Sequence, residues 1–248
     1  KLSWFSGTAV DNGVTFRTGS LAGQNVVLVL RDVSMVNAAM HTQLALDHFT
    51  ISRIIFTGIG GGIAPELQIG DVVVPAQWGQ YQESVYVRPD AAGTLNPPDW
   101  LNNPLPAYDI IFPKPVEWRG TDRIWFPTDA TLRAHLPQSL NLIRCLSLEH
   151  CLRREPRIFA ADSGVSGQAF VDNADFGAYL HTAFGASIVD MESAAVAQVA
   201  YVNDIPFLAV RGVSDLPGKT SAEEMTTFYA AAADNAATVT LALLAALE

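Results

Sequence analysis

The chain has 248 residues, with 25 acidic against 15 basic side chains and a formal net charge of −10. That balance excludes a surface built for a nucleic-acid backbone, which needs clustered Lys and Arg, but leaves an unphosphorylated nucleoside open. Hydrophobic residues make up 49%, enough for a sizeable core, and no run of about 20 apolar residues marks a membrane span.

In chain order, Lys1-Leu2-Ser3-Trp4-Phe5 carries no leader-peptide pattern and reads like the interior of a protein. Residues 26–30 form the first β-branched strand run. Val36, Met40 and Leu44 repeat at i+4 and predict a helix. Residues 54–56 predict a strand that runs into the glycine-rich Thr57-Gly58-Ile59-Gly60-Gly61-Gly62, read as a strand-to-turn junction. There Gly60 and Gly61 would let a ligand approach the backbone closely. The segment matches neither the dinucleotide G-x-G-x-x-G spacing nor a P-loop, since no Lys-Ser/Thr follows. Pro65 and Gly70-Asp71 then predict a turn into a strand at 72–74.

The stretch from about 79 to 127 holds eight of the fourteen prolines and three of the five tryptophans. It should be neither regular helix nor central strand. So many aromatics also argue against a disordered linker, and it reads as an ordered excursion packing on the domain or on a partner subunit. Cys145 and Cys151 are too few for a secreted disulfide framework. Were 139–151 helical, their spacing would put them on different faces, so two free, packed thiols are expected.

Residues 158–160, 188–189 and 207–210 are further strand runs, apolar throughout as befits strands covered on both faces. Phe176, Leu180 and Phe184 mark one helix, and Val196, Val199 and Ala200 another that stops before Pro206. Ser221 and Glu224 have capping-box spacing at the start of a last helix. Alternating strands and helices predict one α/β domain on a mostly parallel or mixed sheet.

Two segments carry the chemistry. In Val189-Asp190-Met191-Glu192-Ser193-Ala194-Ala195, Glu192 opens a helix. It either serves the helix dipole or offers two acceptor oxygens to the vicinal hydroxyls of a ribose, while Asp190 points elsewhere and is read as structural. In Val210-Arg211-Gly212-Val213-Ser214-Asp215, Arg211 ends an apolar strand and must reach solvent or an anion. It is a partner for Glu192 or an orienter of a nucleophile. Ser214-Asp215, ahead of Pro217-Gly218, is a turn or cap, or else holds a general acid for a departing base whose pKa the pocket must raise. No zinc-ligand pattern is present among the five scattered histidines, neither Cys sits in the basic setting of a nucleophile, and Gly164-Val165-Ser166-Gly167 is not the G-x-S-x-G of a serine hydrolase.

Residues 57–74, 167–171, 189–195 and 211–215 together resemble the nucleoside phosphorylase and nucleosidase superfamily, nearest its methylthioadenosine/S-adenosylhomocysteine nucleosidases. The similarity spans roughly 15–75 and 155–248, and the excursion is more like a divergent branch of bark-storage-like and secreted bacterial proteins. The resemblance implies a three-layer α/β/α sandwich with a mixed central sheet. It implies Phe170 stacked on a purine, Val171 bonding to it through its backbone, Met191 against the ribose and Glu192 on its 2′ and 3′ hydroxyls. Asp215 would protonate N7, held by Ser214. Arg211 would position the nucleophile, and Met225 or Phe228 would line the 5′ side. Phe56 and Ile59 stand where the phosphorylases carry a phosphate-binding Arg and Ser/Thr, which disfavours phosphorolysis. Nucleosidases commonly place a Ser at the position of Ile59. The family's opening strand and its water-positioning acid have no counterpart in the 248 residues, and the complete protein is expected to contain them.

The leading expectation is therefore hydrolysis of the N-glycosidic bond of a purine nucleoside or thio-nucleoside. The alternatives are a phosphate-dependent purine nucleoside phosphorylase and a non-catalytic nucleoside-binding or storage protein. No metal or cofactor is expected; the partners expected are a small purine nucleoside and further copies of the chain, with no nucleic acid and no membrane. The compartment stays open between export and cytoplasm.

Overall fold

A computed structural model gives the fold and describes residues 4–30, 32–102, 105–147, 151–218 and 220–247. The chain opens with the strands β1 (Trp4–Asp11), β2 (Val14–Leu21) and β3 (Gln24–Val29), an antiparallel meander, followed by helix α1 (Met35–His48). Next come β4 (Ile54–Gly62), β5 (Val72–Val73) and β6 (Gln77–Gln80). The excursion supplies the short strands β7 (Ser84–Tyr86), β8 (Ile111–Pro113), β9 (Val116–Trp118), β10 (Thr121–Arg123) and β11 (Trp125–Pro127). After helix α2 (Ala130–Ala134) come β12 (Ile158–Phe159), β13 (Ser163–Ser166), α3 (Ala174–Phe184), β14 (Ala186–Asp190), α4 (Ser193–Val202), β15 (Phe207–Asp215) and α5 (Ser221–Ala246).

Eight strands form one mixed sheet in the order β11-β6-β13-β14-β4-β15-β5-β12. The strand β15 is buried at all nine residues, and its alternation sorts the core. Phe207, Ala209 and Val213 join the cluster built with α4 and α1, whereas Leu208 and Val210 join the one built with α5. Side chains of a strand point alternately to its two faces, so α1 and α4 cover one face and α5 the other. This is the expected three-layer α/β/α arrangement. All six predicted strand runs and all four helix patterns lie in elements of matching type.

Four expectations change. The glycine-rich segment is not a turn: β4 continues through Gly62 and pairs with β15 along its length. Glycine has low strand propensity, but here the missing side chains make room for neighbours from β14 and β15, as described below. Ser221 is not a helix cap; the cap is Thr220, without a side-chain bond, and the Glu224 carboxylate accepts instead from the Leu216 amide at 3.3 Å. The described residues of the excursion form short strands and turns, yet both its ends enter the main sheet, with β6 between β13 and β11. Its middle packs on α3, where Tyr108 meets Phe176 and Tyr179, and the Tyr179 hydroxyl donates to Pro106 O at 2.9 Å.

The cysteine expectation is also overturned: Cys145 and Cys151 form a disulfide. The premise of a helix there fails, because residues 140–144 are irregular and the two cysteines face each other across an antiparallel bridge. Asn235, buried in α5, ties that segment down by bonding to the N–H and C=O of Ile143 and to Gly70 O. By length and composition α5 could cross a membrane, but here it is a core helix, with Ala232, Asn235, Ala236, Val239 and Leu243 fully buried against the sheet.

Candidate active site

The sequence segments singled out above meet where β13, β14, β4 and β15 lie side by side. Register places Ser166 beside Asp190, Val189 beside Gly61, and Arg211 and Asp215 beside Gly58 and Gly61. Glycines make this approach possible. A Cβ on Gly58 would lie 1.8 Å from Arg211 Nη1, and one on Gly61 would lie 3.2 Å from Asp215 Oδ2. The guanidinium and the carboxyl therefore occupy space that a side chain on β4 would fill.

Arg211 is only 2% exposed. A buried guanidinium needs a charged partner, and Asp190 supplies it: Nε donates to Asp190 Oδ2 at 2.6 Å and to Ser193 Oγ at 3.0 Å. Its Cζ lies 4.0 Å over the Phe56 ring, so the apolar residue at that position stacks under the cation. Among the described residues no hydrogen-bond acceptor meets Nη2, which faces Glu192 Oε2 at 3.8 Å. Contrary to the expectation that Asp190 points elsewhere, it and Glu192 both face Arg211. Asp190 Oδ1 accepts from the Ser166 hydroxyl and from the amides of Glu192 and Ser193, so Asp190 and not Glu192 caps α4.

Glu192 is thus free of the capping role. Its Oε1 accepts from the Ser34 amide at 3.0 Å, across 158 residues of sequence. Burial pushes its carboxyl above the ordinary range and Asp190 adds to this, while the Ser34 amide and Arg211 pull the other way. Ser34 holds φ at +113°, a backbone region that L-residues rarely adopt, and so aims its amide at Glu192. Met191 lies half-buried next to it.

Asp215 is 2% exposed, and Ser214 Oγ donates to its Oδ1 at 2.7 Å. Burial raises its carboxyl, Ser214 lowers it, and the charges of Glu224 and Asp172 raise it further. The register shifts by one between Val213 and Asp215, a bulge that breaks the alternation between Arg211 and Asp215. The structure brings Arg211 and Glu192 together directly. Asp215 stands four residues farther along β15, on the β4 register of Gly61.

The loop after β13 supplies Phe170, 44% exposed, and buried Val171. They line a cavity of about 110 Å³ with Tyr81, Gln82, Tyr86, Ile111 and Phe176. Two consecutive excursion residues hold that loop: Tyr81 Oη donates to Ala169 O at 3.3 Å, and Gln82 Oε1 accepts from the Gln168 amide. A larger cavity of about 540 Å³, lined by Arg53, His135 and Leu247 among others, lies at the opposite ends of β4 and β15. Sequence reasoning missed Ser34 and Gln82, which act through long-range contacts. Ser166 and Ser193 lay inside segments quoted from the sequence but were given no role there.

A 5′-methylthioadenosine/S-adenosylhomocysteine nucleosidase of Mycobacterium bovis is 29% identical over 256 residues, covering 100% of this chain and 94% of the relative. That of Anoxybacillus flavithermus is 31% identical over 215 residues, covering 86% and 77%. Among solved structures, the nucleosidase from S. pneumoniae with a transition-state inhibitor superposes with a TM-score of 0.74 at 26% identity, covering 100% of this chain and 92% of that one. The sequence profile of the Phosphorylase superfamily matches residues 7–245, and the chain belongs to that superfamily.

Proposed function

We propose that this chain hydrolyses the N-ribosidic bond of a purine nucleoside, with 5′-thio-adenosines such as methylthioadenosine as the substrate class. The observation that carries the reading is Asp215: a buried carboxyl, raised by burial and oriented by Ser214, on the strand that also carries Arg211. Raising the pKa of a carboxyl favours its protonated form, the form that can deliver a proton to a leaving group. Asp215 protonates N7 as the C1′–N9 bond breaks and its electron pair passes to the base. Water then adds to C1′ and its proton restores Asp215.

Glu192 anchors the ribose through Oε2, the oxygen not held by Ser34, with Met191 against the sugar. Arg211 offers Nη2 to the attacking water. Phe170 stacks on the base, and Val171, Gly60 and Gly61 bring backbone near it. Phe56 and Ile59 stand where the phosphorylases carry a phosphate-binding Arg and Ser/Thr, and neither side chain can neutralise a phosphate dianion, which favours water over phosphate. The missing hydroxyl at Ile59 also favours a second reading, a nucleoside binder that does not turn over. Exposed Tyr86 and Trp100 on the excursion support a homo-oligomer, which size-exclusion chromatography with light scattering tests.

Incubation with methylthioadenosine, S-adenosylhomocysteine, adenosine and inosine, with and without inorganic phosphate, should release free base and free sugar at a phosphate-independent rate. Asp215→Asn should lower that rate by roughly 10²–10⁴-fold while nucleoside binding persists. Undiminished turnover in this variant would remove Asp215 from the mechanism, and binding without release by the native chain would favour the binder.

A further inference from the structure

Three carboxylates gather around the end of β15. Asp215 ends the strand, Asp172 follows the Phe170–Val171 loop ahead of α3, and Glu224 lies in the first turn of α5. Glu224 is tied to the connection that leaves Asp215. Its amide donates to Thr220 O at 2.8 Å, closing the first turn of α5, and its Oε2 accepts from the amide of Leu216, the residue directly after Asp215. Leu216 in turn packs on the core beneath the site. Resting on the reading above, we propose that Glu224 is a positioning residue for Asp215. It clamps the peptide that follows the acid and fixes a negative charge beside it, so that Asp215 keeps its proton until the base departs.

The groups facing Asp215 support this. From β4 comes Gly61, and from its own strand Ser214, whose hydrogen bond favours the ionised form. Glu224 from α5 and Asp172 from the α3 side act in the opposite sense, Glu224 more strongly. A like charge disfavours a second ionisation nearby, and a general acid is useful only while protonated. The plainer role for Glu224 is to serve the N-terminus of α5, as acidic residues in a first turn do. That role would leave the titration of Asp215 unchanged.

The test follows the Asp215 side-chain carbon by NMR in protein labelled with ¹³C-aspartate, the signal being assigned by its loss in Asp215→Asn. In Glu224→Gln, which keeps an amide oxygen for Leu216, the Asp215 titration should move to lower pH. Asp172→Asn should move it the same way by less, and Glu224→Asp should leave it near the native position. The basic limb of kcat/KM for base release should fall to lower pH in step with the Gln variant. A Glu224→Gln variant that is folded, shown by native thermal unfolding, and titrates like the native chain overturns the proposal. Absence of base release by the native protein sinks the nucleosidase reading instead, and leaves the titration result standing on its own.

Discussion

Asp190 accepts more bonds than any other carboxylate at the site: one oxygen takes the Ser166 hydroxyl and two amides at the start of α4, the other takes Arg211. Both members of that ion pair are almost fully buried, at 3% and 2% side-chain exposure. Removing the charge of one leaves the other uncompensated, which typically costs about 3–5 kcal/mol. Asp190→Asn should therefore lose stability on that scale in urea unfolding, and its residual activity should fall because Arg211 is no longer held. An unchanged unfolding midpoint would mean that the Arg211 charge is satisfied elsewhere. The sequence shows Glu192, Arg211 and Asp215 because each sits in a recognisable local pattern. It cannot show Ser34, since a backbone φ of +113° has no signature in a Ser-Met-Val-Asn stretch and its bond to Glu192 joins distant segments.

Periodicity found most of the elements because burial on one or two faces writes itself into the residue pattern. It failed where contacts outweigh propensity. The glycines of β4 read as a turn, but the strand persists because Arg211, Asp215 and β14 take the space their side chains would need. The expectation of two free thiols rested on the premise of a helix around the cysteines, whereas Asn235 and the Cys145–Cys151 bridge hold that loop irregular. The same close packing sets the distance between β15 and α5. A Cβ on Gly212 would lie 2.0 Å from the carbonyl oxygen of Ala232 on the helix. Backbone cannot rotate away as a side chain can, so Gly212→Ala must push α5 off the sheet. Overpacking of this kind costs about 1–3 kcal/mol or more, and thermal unfolding should fall accordingly. A native-like melting temperature would show that α5 can shift freely, and would also weaken the argument that Glu224 is held at a fixed place beside Asp215.

At the scale of the whole molecule, the order of strands is what no local pattern encodes: β4 lies between β14 and β15, so segments 57–62, 189–192 and 211–215 become neighbours only in the folded sheet. That assembly carries a stability cost that depends on pH. Burial raises Asp215 above its ordinary value near 3.8, so between the unfolded and folded pKa the native state binds more protons than the unfolded chain. Stability then falls as pH rises through that window, and the full penalty is present above the folded pKa. Below the ordinary aspartate range both states are protonated and the penalty vanishes. Asp215→Asn keeps the acceptor for Ser214 and removes the charge, so its urea midpoint should exceed that of the native chain at pH 7.5 and approach it near pH 4. The site would then have been built at the expense of stability, as an acid held in apolar surroundings requires. A variant less stable than the native chain at both pH values would mean that the ionised carboxylate is favourably held, and Asp215 would be a poor proton donor.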